Sequence, residues 1–186
     1  MGAANRLRFD DLTQDNHFEL FGLVPGFDID LTVLEAQWKA RVAQVHPDRF
    51  ASAGPAEKRV AMQWSARLNG AYRILRDPLQ RAQYLCELAG QAVGEGSGHA
   101  VDMAFLEQQM AWREHLETLE SSRDTQALPA FTDEILADRQ RRIDQISTLF
   151  EKKQWSDAVG RLHEWMFIEK FLQEIQTVKR ALASTE

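Results

Sequence analysis

The chain has 186 residues, 44% of them hydrophobic and 27% charged, with a formal net charge of -6. That length allows one large domain or two small ones, and the negative balance argues against broad nucleic-acid binding. A single cysteine, Cys86, rules out a disulfide framework within the chain, and no apolar run approaches the length of a membrane span.

Residues 1–15 are polar and aperiodic and read as a mobile tail. The segment HFELFGL (17–23) suits about one and a half turns of helix, with Phe18, Leu20 or Phe21 facing a core, before Pro25 and Gly26 break it. Thr32 followed by Glu35 reads as a capping box. Leu31, Leu34, Trp38, Val42 and Val45 then recur at spacings of three and four, one apolar stripe that Pro47 brings to a stop.

After a short loop, HPDRFASAG (46–54), Pro55 opens a long helix with Val60, Trp64, Leu68, Ala71 and Leu75 as its buried stripe. Asp77-Pro78 ends that helix and caps the next, which runs to Gly90. GEGSG (94–98) is the best linker candidate, within a linker expected over 90–101. Three more helical runs follow, over 102–121, about 125–153 and 155–182, the first capped by Asp102. No strand alternation and no internal repeat is seen. The expected class is all-α: an antiparallel helical hairpin, then a three-helix bundle.

Charge is unevenly spread. Residues 1–90 hold 11 Lys+Arg and 11 Asp+Glu, while residues 91–186 hold 11 and 17, so the whole negative balance lies in the second half. The basic clusters RQRR (139–142) and Lys152-Lys153 sit among acidic residues and read as solvated faces. His163-Glu164 lacks the second histidine of a zinc-protease motif, and GEGSG lacks the strand and lysine of a phosphate loop. Cys86 reads as a small buried residue. No catalytic, metal-binding or cofactor-binding residue is assigned. The absence of a signal-type apolar core at the N-terminus makes a reducing cytoplasm the expected compartment.

The tripeptide His46-Pro47-Asp48 stands out, since average residue usage would place it in a chain of this length with odds of about one per cent. It sits between two amphipathic helices, with Lys39 and Arg41 on the polar side of the first and Arg49 just after. Pro47 fixes the loop's shape before binding, Asp48 can accept a charge-assisted bond from an arginine, and His46 can donate or accept near neutral pH. Basic residues beside such a loop steer encounter more than they add affinity.

Together with DPLQRAQYLCELAG after the hairpin and DMAFLEQQMAWREHLE at the start of the second half, this resembles the HscB-type J-domain co-chaperones of iron–sulfur cluster assembly, in their bacterial form. The resemblance covers about residue 16 to the end. It implies a J domain over 16–89 whose His46, Pro47, Asp48, Lys39, Arg41 and Arg49 contact an HscA-type heat-shock chaperone and stimulate its ATPase. It also implies a C-terminal domain over 102–186 that holds an IscU-type scaffold protein through Leu106, Met110, Arg113, Glu114 and Phe167. The scaffold carries the cluster, so no cofactor is expected here, and neither is a nucleic-acid or membrane partner. Glu107 stands where the family tends to have an apolar residue, and Ala111 where an acidic one is usual. Two other readings stay open: a J protein serving unfolded clients in general, and a helical enzyme using His46 and Asp48 as an acid–base pair.

Overall fold

The computed structural model describes residues 16–50, 52–94 and 102–184. The tail expected over 1–15, and the linker stretch beyond Gly94, lie outside these residues. A 3-10 turn at Glu19–Phe21 is followed by α1 (Leu31–Gln44), a second 3-10 turn at Pro47–Phe50, then α2 (Pro55–Arg76), α3 (Pro78–Leu88), α4 (Met103–Ser122), α5 (Leu128–Glu151) and α6 (Trp155–Ala183). The all-α expectation is borne out, with six helices and no strand among the described residues. The chain divides into two compact units between Leu85 and Cys86, inside α3.

In the first unit, α1 is capped by Asp30, not by Thr32 as its sequence suggests. The Asp30 carboxylate accepts the backbone N–H groups of Thr32 at 2.8 Å and Val33 at 3.2 Å. A carboxylate two residues upstream satisfies two orphan donors at once, which outcompetes a threonine already inside the first turn. Glu35, freed from capping, pairs instead with Lys39 one turn on, at 2.6 Å.

Of the α1 stripe, Leu34 and Val45 are fully buried, Trp38 and Val42 half-buried, and Leu31 exposed. Trp38 stacks on Tyr72 with centroids 4.4 Å apart and donates its indole N–H to Asn69 at 2.9 Å. The middle of α1 therefore meets the end of α2, and the two helices run antiparallel. Pro55 begins α2 where a missing N–H is harmless, and the Gly54 N–H reaches back to Glu57 at 3.3 Å. Ala61, Trp64, Leu68, Ala71 and Leu75 form its buried stripe; Val60 is only half-buried. Asp77 accepts the N–H of Gln80 at 2.8 Å and starts α3 with Pro78, as its sequence predicts. Gly90, at φ 77°, ends this stretch: a left-handed residue lets the Gln91 N–H bond the Cys86 carbonyl at 2.9 Å. Phe18, Leu20 and Phe21 are all buried, and His17 stacks on Tyr84 at 4.2 Å.

In the second unit Asp102 caps α4 by accepting the Ala104 N–H at 3.0 Å. Ion pairs Arg139–Glu169 and Arg142–Glu164 link α5 to α6 in opposite chain directions, so these helices are antiparallel. Gln108 meets Arg142 and His115 meets Phe131, which makes α4 antiparallel to α5 as well. Phe105, Trp112, Leu116 and Leu119 of α4 close the core with Leu128, Phe131 and Ile135 of α5 and Ile168, Phe171 and Ile175 of α6. Each such large apolar side chain contributes about 1.5–3 kcal/mol when taken from water.

One expectation fails here. RQRR is not a solvated face: Arg142 is buried and Arg139 is half-buried. At helical spacing Arg142 follows Phe131, Ile135 and Asp138 onto the inner side of α5. It is held there by the carboxylates of Asp138, at 2.8 Å, and Glu164.

Candidate functional site

The loop between α1 and α2 is a single 3-10 turn, Pro47–Phe50, closed by the Arg49 N–H on the His46 carbonyl at 3.0 Å. The Asp48 backbone N–H donates to Nδ1 of His46 at 3.3 Å, and one Asp48 carboxylate oxygen lies 3.4 Å from the same nitrogen. Nδ1 thus sits between a donor and an acceptor of the same residue: unprotonated it accepts from the Asp48 N–H, and carrying a proton it faces the carboxylate. The Asp48 side chain is 89% exposed, so its carboxylate is open to a cation brought by a partner.

The basic residues singled out beside the turn differ in availability. Lys39 is exposed, and its bond to Glu35 raises its pKa and lowers that of the glutamate. Arg41 is half-buried, and the exposed Arg49 reaches the Ala43 carbonyl at 3.5 Å. α2 also carries Lys58, Arg59, Arg67, Arg73 and Arg76 and a single acid, Glu57. The run Glu57-Lys58-Arg59, one turn after the HPD loop, is their signal in the sequence.

The second group of residues lies on α4 and α6. Phe105, Trp112, Leu116 and Leu119 point into the core, Met103, Met110 and Glu114 lie on the opposite side, and Leu106 and Arg113 lie between the two. Met110 is 64% exposed, Leu106 half-buried, and Arg113 and Glu114 exposed. Phe167 of α6 is half-buried: it packs edge-on against Phe105 at 5.7 Å, stacks with Phe171 at 6.0 Å, and carries the Arg113 guanidinium over its ring at 5.7 Å. The structure thus brings Arg113 and Phe167 together at the edge of a face that also presents Leu106, Met110 and Glu114. A second apolar stripe on one helix is often just a wide buried face; here Met110 is open to solvent.

Behind that face stands an ionic cluster that the sequence did not reveal. Arg142 hydrogen-bonds Asp138 and Glu164, reaches Gln108 of α4 at 3.2 Å, and lies over the Phe105 ring. Arg161 donates to both oxygens of Glu164 at 2.9 Å and sits 3.6 Å from Asp102, the α4 cap. The Glu164 bond, ahead of every other influence, raises the pKa of Arg161. Three helices are tied at one point by charge-assisted bonds.

Burial pushes the Cys86 thiol up to about 12, which keeps it protonated and unreactive. Among the described residues no three His, Cys, Asp or Glu side chains gather to hold a metal ion, and no helix is long and apolar enough to cross a membrane.

Residues 101–176 match the family model described as the HSCB C-terminal oligomerisation domain. A co-chaperone protein HscB homolog from Bordetella petrii is 51% identical over 172 residues, spanning 91% of this chain and 99% of that protein. One from Burkholderia multivorans is 43% identical over 162 residues, spanning 87% and 93%. The chaperone HscB from Vibrio cholerae superposes with a TM-score of 0.80 at 34% identity, covering 90% of this chain and 99% of that one. Human co-chaperone protein HscB, at 24% identity, shares the fold with a TM-score of 0.81 over 90% of this chain and 83% of its own. The chain belongs to the HscB family, co-chaperones of iron–sulfur cluster assembly and not enzymes.

Proposed function

We propose that this co-chaperone binds an IscU-type iron–sulfur scaffold, delivers it to an HscA-type seventy-kilodalton heat-shock chaperone, and stimulates that chaperone's ATP hydrolysis so that the cluster is transferred. The proposed division of labour is a J domain over 16–89, a linker over 90–101 and a scaffold-binding domain over 102–186, working in the cytoplasm.

On the chaperone side, Lys39, Arg41 and Arg49 steer the approach, and His46, Pro47 and Asp48 engage the ATPase. Steering charges raise the encounter rate and are screened by salt, while Asp48 supplies one specific charge-assisted contact. On the scaffold side, Leu106 and Met110 are the apolar anchors. Arg113, Glu114 and Phe167 flank them.

The observation that carries the reading is the exposure of Met110 on the same side of α4 as Arg113 and the Phe167 edge. A large apolar side chain left in water beside an arginine–aromatic pair is the composition of a protein-binding surface. The test is a coupled ATPase assay with purified chaperone and folded scaffold. Stimulation should rise synergistically when the scaffold is added. A protein serving unfolded clients in general would show equal synergy with an unfolded polypeptide.

A further inference from the structure

On α4, α5 and α6 the large apolar side chains most open to solvent, among the described residues, are Met110 and Met103, the latter 68% exposed. They are seven residues apart, so they lie on one line along α4, about 10 Å from one another. Leu106 and Glu107 flank that line on opposite sides, each about 50° round the helix from it. Glu107, four residues after Met103 and three before Met110, is exposed and without an ion-pair partner among the described residues.

We infer that Met103 is a further contact residue of the scaffold surface, and that Glu107 selects a scaffold element bearing a lysine or arginine between apolar groups. This rests on the proposed scaffold-binding role of α4. Any partner that covers both methionines also covers the carboxylate between them. A carboxylate removed from water without a cation or donor opposite it opposes binding, and the same carboxylate facing a lysine or arginine fixes the register of the complex. The rest of the face has the same bias, since Glu114 and Glu117 continue the acidic edge past Met110 while Arg113 is turned onto Phe167. The occupant that fits is an apolar strip with one or more basic side chains.

The experiment measures scaffold affinity for the full chain by titration calorimetry at low and high salt, with melting curves for every variant. Met103→Ala should melt like the parent and bind about fivefold more weakly or worse. Glu107→Gln should weaken binding and flatten its salt dependence, and Glu107→Lys should weaken it further. If Met103→Ala binds like the parent while Met110→Ala does not, Met103 lies outside the surface and that part of the inference is wrong. If Glu107→Gln or Glu107→Lys binds as well as the parent or better, no cation faces this position and the selectivity claim is wrong. If Leu106→Ala and Met110→Ala also bind normally, the scaffold surface itself lies elsewhere, and the underlying reading fails with the extension.

Discussion

The guanidinium of Arg142 lies 4.3 Å from the centre of the Phe105 ring, inside the three-helix bundle. Its nitrogens are taken by Asp138, Glu164 and Gln108, so one α5 side chain joins α4 and α6. The stacked ring contributes its electron-rich face to a cation already desolvated. This fixes the N-terminal half of α4, the half that presents Met103, Leu106 and Met110.

Removing that cation should be costly. Arg142→Ala leaves the buried Asp138 and Glu164 carboxylates with only Arg141 and Arg161, beside an empty volume; a buried pair broken outright costs about 3–5 kcal/mol, which is the upper bound for this change. Chemical denaturation monitored by Trp112 and Trp165 fluorescence measures it. A loss no larger than a surface substitution gives, about 0.5 kcal/mol, would show that the bundle does not depend on this cation.

On α1 the Glu35–Lys39 pair makes a kinetic prediction. In the proposed steering of the chaperone, the charge of Lys39 is partly offset by Glu35. Glu35→Gln should therefore speed association with the chaperone at low salt, and Lys39→Ala with Arg41→Ala should slow it. Both effects should fade once salt shortens the Debye length to about 8 Å near 0.15 M. Stopped-flow association over a salt series reads them directly; identical slopes for all variants would move the docking face away from α1.

His17 sets a pH dependence on the first unit. Burial, then the nearby Arg67, lower its pKa from the ordinary 6.5, so the folded state favours the neutral ring. A depressed value means the unfolded chain binds the proton more readily. The stabilising contribution is therefore complete above about pH 6.5 and is lost as pH falls through the folded-state value. Thermal melts should show the hairpin unit losing stability toward acid. His17→Phe, which keeps a ring on Tyr84, should remove that part of the loss.

Much of this fold was legible in the residues. Period-three-and-four stripes located α1 and α2, and Pro55, Asp77-Pro78 and Asp102 marked where α2, α3 and α4 begin, because each of those signals is local. What escaped depended on competition or on tertiary partners. Thr32 fits a capping box by spacing alone, and only the folded turn shows that the Asp30 carboxylate reaches the free N–H groups instead. Arg142 looked solvated because RQRR is charged along the chain, whereas burial follows the helical side on which a residue falls. Phe167 was named only through the family resemblance, because its half-buried place depends on Arg113 and Phe105 from α4. The HPD turn was legible because Pro47 forces the break locally.

The anchor residues on α4 separate binding from stability. Leu106→Ala with Met110→Ala should change the melting temperature little, since Met110 is exposed and Leu106 only half-buried. Scaffold binding should weaken by about 1–3 kcal/mol. Two buried large-to-small changes would instead cost about 2–5 kcal/mol each in stability. A variant that melts far lower yet binds scaffold normally would place these residues in the core.

The most direct test of two partners served by one chain is chaperone ATPase stimulation by three proteins: the parent, Asp48→Asn, and the Leu106→Ala/Met110→Ala variant, each with and without folded scaffold. Asp48→Asn should lose stimulation under both conditions while still binding scaffold. The α4 variant should keep basal stimulation and lose only the increment that scaffold adds. Full stimulation by a correctly folded Asp48→Asn protein, or an undiminished scaffold increment in the α4 variant, would overturn this division of labour.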